Sequence, residues 1–246
     1  MAKQTPITFK PKQVTKRLLS SLPDRAKDVI INRYGLGTNT DRMTLEAIGK
    51  KYNITRERVR QIENYSITNI RKSKEYTKEK KTFDELKVVV KGLGAMINEE
   101  ELLTFLAKDK STQNHVHFLL VIGEDFKKNK EDEEFKHRWH VDEDVSKKVH
   151  EALRKLYNSL SDNDLIPEAD MISRFLDNVK DVNEEYKNEE IIKRWLNISK
   201  TIDKNPLGEW GKASSPNINA KGMRDYAFLV IRKHGSPIHF REVAKA

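Results

Sequence analysis

Four side chains between positions 56 and 61 have the chemistry needed to hydrogen-bond the edges of nucleic-acid bases. An arginine presents a fork of donors that fits guanine O6 and N7, a glutamine pairs with adenine, and a glutamate accepts from cytosine N4. A bidentate pair discriminates between bases by about 1–3 kcal/mol, so a few such contacts are enough to read a sequence. The four residues are Arg56, Glu57, Arg60 and Gln61, within the stretch NITRERVRQIEN at positions 53 to 64.

Helical periodicity separates these polar residues from a thin apolar stripe. At 100° per residue, Ile62 and Ser66 fall near the same side as Val59, which we expect to be buried. The opposite, outward side carries Glu57, Arg60, Gln61 and Asn64, flanked by Arg56 and Arg58. A competing interpretation is a solvated, salt-bridged face, in which Glu57 and Arg60 form a pair three residues apart.

A preceding helix is predicted to hold this one in place. TLEAIGKKYN begins at Thr44, a suitable N-cap, and Thr55 is a second N-cap that starts the next helix. Gly49 lies where two crossing helices approach closely, and Asn53 lies at the turn, where a left-handed backbone is often needed. The pattern is that of a helix-turn-helix. Two further helices are expected upstream, within residues 14 to 37.

These segments resemble a known family. MTLEAIGKKYNITRERVRQIEN is similar to region 4.2 of the sigma-70 family, and LLSSLPDRAKDVIINRYGL is similar to the region 4.1 that precedes it. The resemblance runs from about Leu18 to Lys72. It implies that the second helix lies in the major groove of a promoter −35 element and that the region 4.1 helices contact the β flap of RNA polymerase.

Residue roles follow from this resemblance position by position. It implies base or base-adjacent contacts for Arg56, Glu57, Arg60 and Gln61, phosphate contacts for Thr44 and Arg58, and a DNA-binding set completed by Thr55 and Asn64. The chain departs from the family at Asn64-Tyr65-Ser66. Nothing in it resembles the sigma region that melts the −10 element, so we expect it not to be a complete sigma factor.

A repeat of about 70 residues organises the rest of the chain. Three strings share an isoleucine followed by an acidic residue four positions later: GLGAMINEEELLTFL, DNDLIPEADMISRFL and KHGSPIHFREVAKA. Each follows an amphipathic helix, and the first two are followed by a further helix and a tryptophan, Trp139 or Trp210. This order predicts winged-helix-like units, with chance similarity among helices as the alternative. The three tryptophans are expected to be core residues, although base stacking is the functional alternative.

The last unit also resembles a family. Residues 205 to 246 are similar to the entry of a HARE-HTH domain, a winged-helix module for which DNA is the inferred ligand. Because the sequence ends at Ala246, inside the second helix of that pattern, we expect it to be truncated, with some 40 to 50 residues of the domain missing.

Composition narrows the class of protein. Residues 1 to 81 hold 20 Lys and Arg against 8 Asp and Glu, a net charge of +12, whereas residues 82 to 246 have a net charge of −3. This asymmetry favours a polyanionic partner for the N-terminal third. No cysteine is present, which excludes disulfides and thiolate metal sites. We expect a soluble, cytoplasmic, nucleoid-associated protein with no membrane segment.

We do not expect a catalytic or metal-binding site. The pairs His115 and His117, and His137 and His140, lack a cysteine partner and favour a solvated or wing-packing role over a metal site. The acidic runs EDEE and DEDV do not form a paired nuclease motif. We therefore predict no enzyme, no cofactor, no metal and no small-molecule substrate.

The predicted fold class is all-α with small β wings, a helix-turn-helix domain followed by tandem winged-helix-like repeats. The predicted function is sequence-specific binding of promoter DNA in bacterial transcription initiation, with RNA polymerase as a partner. The alternatives are an RNA polymerase accessory subunit acting by protein contact, and a DNA-binding arm of a restriction or modification system. The predicted domains are a basic tail (1–16), the helix-turn-helix (17–72), a linker (73–82), two winged-helix-like repeats (83–144 and 145–219) and the start of a HARE-HTH domain (220–246).

Overall fold

The computed structural model describes residues 7–243 and divides the chain into two compact units. Among the described residues, the first unit comprises 7–129 and 139–141, and the second comprises 130–138 and 142–243.

The first unit begins with four helices. Pro at the first position suits the start of α1, and Gly35, at φ 63°, ends α2 in the left-handed conformation that glycine adopts readily. The predicted basic tail therefore becomes helical at Pro11, while residues 1–6 lie outside the described part. The helices are α1 (Pro11–Leu19), α2 (Asp24–Tyr34), α3 (Leu45–Tyr52) and α4 (Arg56–Lys72).

Residues 73–82, predicted as a linker, are helical in the structure. They form α5 (Lys74–Lys78) and the start of α6 (Lys80–Gly92), and the side chain of Ser73 accepts from the amide of Tyr76. Glu79 is almost buried and accepts from Arg17 Nε at 2.5 Å. Lysine and glutamate are good helix formers, and this long-range ion pair with α1 helps fix the charged segment.

The first unit continues with the element order of a winged helix. After α6 come β1 (Met96–Asn98), α7 (Glu99–Leu106), α8 (Lys110–Ile122), β2 (Lys127–Asn129) and β3 (Arg138–His140), whose Trp139 and His140 belong to this unit, and the sheet order is β1-β3-β2. Ile97 and Trp139, the repeat positions seen in the sequence, are both buried.

The second unit has the same order of elements. Ile166 forms an isolated antiparallel bridge with Trp210, in the position of β1 in the first repeat, and both side chains are buried. Strands β4 and β5 are antiparallel, with Ile202 opposite Lys212. The elements are α9 (Glu143–Ser159), α10 (Glu168–Asn178), a 3-10 turn (Glu184–Tyr186), α11 (Glu189–Leu196), β4 (Ile202–Lys204) and β5 (Trp210–Lys212).

The second unit ends with α12 (Met223–His234) and α13 (Phe240–Val243). Gly235, at φ 71°, ends α12, and Leu229 is the buried residue of that helix. Five large apolar side chains of these two helices are exposed: Met223, Tyr226, Phe228, Ile231 and Phe240. Residues 244–246 of the predicted HARE-HTH segment lie outside the described part.

The fold is therefore mostly helical with small sheets, as predicted. All three tryptophans are core residues: Trp139, Trp195 and Trp210 are each no more than 2% exposed. None of the helices described between residues 7 and 243 is long and apolar enough to cross a membrane.

Candidate nucleic-acid interface

Four residues fix the start of α3 and the turn between α3 and α4, and they are the residues predicted for these roles. Thr44 Oγ1 accepts from the amide of Ala47 at 3.1 Å, and Thr55 Oγ1 accepts from the amide of Arg58 at 3.1 Å. Asn53 adopts the left-handed conformation, with φ 54°. A Cβ on Gly49 would lie 2.6 Å from the carbonyl oxygen of Ile54, so only glycine allows this approach without a shift. The predicted caps, turn and crossing point are confirmed.

A small core holds α4 against α2 and α3. Val29, Ile48 and Val59 are fully buried together, and Ile62 packs against them. Ser66, one turn further along α4, is also buried, and its hydroxyl donates to the carbonyl of Ile62 at 2.7 Å. The thin apolar stripe is sufficient because both neighbouring helices pack on it.

The opposite side of α4 is open to solvent. Every residue of the predicted DNA-binding set is exposed: Thr44, Thr55, Arg56, Glu57, Arg58, Arg60, Gln61 and Asn64. Tyr65, where the chain departs from the sigma-70 pattern, lies beside this set and is 64% exposed. The helix thus presents a continuous polar surface of about three turns.

Two pairs of side chains on this surface contact each other. Arg60 Nη2 lies 2.6 Å from Glu57 Oε1, and Arg60 Nε donates to Glu57 Oε2 at 2.9 Å. This hydrogen-bonded pair lowers the pKa of Glu57 and raises that of Arg60. Arg58 Nη1 donates to Gln61 Oε1 at 3.1 Å. The pairing anticipated by the competing interpretation is present, but exposed pairs of this kind are weak and exchange readily with other partners.

Further cations border the surface on α3. Lys50 pairs with Glu46 at 2.8 Å, and Lys51 lies 3.7 Å from Asp28. Lys50 is largely exposed and Lys51 is partly exposed, so solvent screens both pairs and leaves the two lysines able to bind an anion.

The other face of the four-helix module is closed by α8. The ring of Phe118 lies 5.0 Å from that of Tyr34, and residues 114 to 120 are buried. Asn114 donates to the carbonyls of Gly35 and Thr40 at 3.0 and 2.8 Å. Arg71, near the end of α4, donates to the carbonyls of Val121 and Ile122 at 3.0 and 2.9 Å.

These contacts with α8 were not anticipated from the sequence, although one signal was present. The run HVHFLLVI is apolar or neutral on every side of a helix, which is typical of a helix buried all round.

The histidine pairs split between core and surface. His117 and His140 are buried with the wing, and the ring of His117 lies 5.9 Å from that of Trp139, whereas His137 is exposed. Burial is the main cause that lowers the pKa of His117 well below its usual value, although Glu99 lies 3.6 Å from its Nε2. Among residues 7–243, no cluster of three His, Asp or Glu is placed to hold a metal ion.

Comparison with known proteins identifies the module that carries this surface. Residues 18–72 match the family model described as Sigma-70, region 4. This is the segment that the sequence resemblance delimits. The match covers α2, α3 and α4 and the last part of α1.

Relatives match over the same part of the chain. An RNA polymerase sigma factor RpoD from Neisseria gonorrhoeae is 44% identical over 59 residues, which is 24% of this chain and 9% of that protein. RNA polymerase sigma factors RpoD from Helicobacter pylori strains 26695 and J99 are each 50% identical over 54 residues, which is 22% of this chain and 8% of each relative. The chain therefore spans less than a tenth of the length of these relatives. No solved structure matches it.

Proposed function

We propose that this protein binds promoter DNA sequence-specifically in bacterial transcription initiation, with α4 as the reading helix in a −35-type major groove. The observation that carries the proposal is the exposed polar face of α4 on a fixed helix-turn-helix. A helix of this width fits the major groove, and the second helix of such a pair commonly enters it. The match to sigma-70 region 4 supports the same role.

The residue roles are those implied by the resemblance. Arg56, Glu57, Arg60 and Gln61 contact base edges, Thr44 and Arg58 contact phosphates, and Thr55 and Asn64 border the contact. Binding requires Arg60 and Gln61 to leave their partners on α4. Because a bidentate base contact is stronger than an exposed pair, the exchange is favourable.

The charge distribution supports the phosphate part of this role. The net charge of +12 in residues 1 to 81 provides an electrostatic attraction to DNA that depends strongly on salt. No step of binding or recruitment requires catalysis, and we propose a non-enzymatic, cytoplasmic role at the nucleoid.

RNA polymerase is the proposed protein partner. The inner faces of α1 and α2 are buried against α8, so a polymerase contact through these helices has to use their exposed sides. These sides carry Lys12, Lys16, Arg17 and Arg25. The two winged-helix-like repeats and a HARE-HTH start at residues 220–246 are proposed to be further protein- or DNA-contact modules.

Selection of bound duplexes from a random pool tests this function. We expect the full chain to enrich one motif, and its affinity to fall steeply between low and moderate salt. Enrichment of no motif would contradict the proposal. Co-purification with RNA polymerase without any shift of duplex DNA would favour the accessory-subunit alternative.

A further inference from the structure

The helix pair α7 and α8 holds the position in the first repeat that a helix-turn-helix occupies in a winged helix. In such a pair the second helix commonly enters the DNA groove. Here α8 has no free face for that task, since Asn114 through Leu120 are buried in succession. Lys110, at its first position, is the one exposed residue of the helix, and residues 111–113 are half-buried.

Polar contacts near both ends of α8 reach parts of the module that determine where α4 lies. Asn114 has no exposed surface and binds the carbonyls of Gly35 and Thr40, in the loop that leads from α2 into α3. Its Oδ1 accepts from Arg42 Nε at 3.0 Å, so both ends of the amide are used.

At the other end of α8, the guanidinium of Arg71 spans the carbonyls of Val121 and Ile122. These carbonyls belong to the last turn of α8, where the helix dipole is negative and a cation is favoured. Arg71 is in the last turn of α4, about 22 Å along the helix axis from Arg56 at 1.5 Å per residue. The contact therefore fixes the far end of the proposed reading helix.

We infer that the first winged-helix-like repeat is a brace for the helix-turn-helix instead of a second DNA reader. Asn114 and Arg71 are its positioning residues, acting through the α2–α3 loop and through the end of α4. Neither touches DNA. Their effect on recognition rests on the proposed function, whereas their effect on the order of the loop does not.

Two matched pairs of variants in the full chain test the brace. Asn114→Ala is compared with Gln113→Ala, since Gln113 is the neighbouring amide on α8 but donates to the carbonyl of Ala107 inside the repeat. Arg71→Ala is compared with Lys72→Ala, which removes the same charge from the exposed next position of α4. Amide hydrogen exchange and the affinity ratio between the selected duplex and a random duplex are measured for all four.

We expect Asn114→Ala to speed exchange at residues 35–44 about tenfold relative to Gln113→Ala, because it removes the donor to the buried carbonyl of Gly35 and to the partly buried carbonyl of Thr40. We expect Arg71→Ala to lower the affinity ratio several-fold relative to Lys72→Ala. Exchange rates and affinity ratios equal to those of the control variants would overturn the inference. It would also be overturned if Asn114→Ala accelerated exchange in α6 and α7 as much as at residues 35–44, because that result indicates general unfolding.

The two proposals fail in different ways. If the wild-type chain selects no motif, the proposed function is wrong, while the exchange measurement still decides whether α8 braces the loop. If the motif is selected but neither variant differs from its control, only the brace is wrong.

Discussion

Replacing Gly49 with alanine tests how closely α3 and α4 cross. The added Cβ would lie 2.6 Å from the carbonyl oxygen of Ile54, whereas ordinary contact begins at 3.4 Å, so the two backbones have to separate by about 0.8 Å. The obstacle is a backbone atom at the start of the turn, not the end of a flexible side chain. Overpacking of this kind costs about 1–3 kcal/mol.

Gly92 provides the matched control. Gly92 is also a helical residue of the first unit, the last residue of α6, but a Cβ there would meet nothing within 4 Å. Alanine at an unobstructed helical position is neutral or stabilises by up to about 1 kcal/mol relative to glycine. The difference between the two variants therefore isolates the clash.

Thermal unfolding of the two variants, followed by circular dichroism, measures this difference. For a unit of this size, a loss of 1 kcal/mol in unfolding free energy lowers the midpoint temperature by roughly 3–4 °C. We therefore expect the midpoint of Gly49→Ala to lie about 3–12 °C below that of Gly92→Ala. Equal transition temperatures would show that α3 and α4 do not cross as described, and the positioning of α4 derived from that crossing would be wrong.

Three further perturbations give separate tests. Thr55→Ala removes the N-cap of α4 and should lower the free energy of unfolding by about 1 kcal/mol in urea titrations, whereas Thr55→Ser should retain most of it. The buried His117 has a folded-state pKa below its unfolded value, so its contribution to stability is present above the ordinary histidine pKa and is lost as the pH falls below it. The urea midpoint of the wild type should fall as the pH is lowered; His117→Gln should reduce this fall, whereas the exposed His137→Gln should leave it unchanged. Identical pH profiles for the wild type and both variants would contradict the burial of His117 as a source of this pH dependence. Arg58→Ala should reduce the slope of log affinity against log salt by about 1, as expected for loss of one phosphate contact, and an unchanged slope would argue against that contact.

Local chemistry made the helix-turn-helix predictable. Thr44 and Thr55 can cap, Asn53 tolerates a left-handed backbone and Gly49 allows close approach, and each of these properties depends on a few neighbouring residues. The winged order was visible because an isoleucine and a tryptophan recur in the first two repeats, at similar separations along the chain. The exposure of Glu57, Arg60, Gln61 and Asn64 follows from the helical periodicity of α4, although the DNA contacts of all eight residues in the set remain predictions.

Long-range packing was not predictable in the same way. The segment 73–82 was predicted to be a linker because it is rich in charged residues. The contact that helps hold it in place, between Glu79 and Arg17, joins residues 62 positions apart and leaves no local pattern in the sequence. The bonds from Asn114 to the α2–α3 loop span more than 70 positions, and no local pattern indicates them. The signal that could have been used was the nearly continuous apolar surface of α8, which requires burial but does not name the partner.

Selection from a random pool with two variants tests the central claim most directly. Arg60→Ala removes a proposed base contact on α4, and Lys50→Ala removes an exposed cation on α3 that has no proposed base contact. We predict that Arg60→Ala relaxes the selected motif at one or two positions, while Lys50→Ala weakens binding to all sequences alike and leaves the motif unchanged. An unchanged motif with Arg60→Ala would contradict the assignment of α4 as the reading helix.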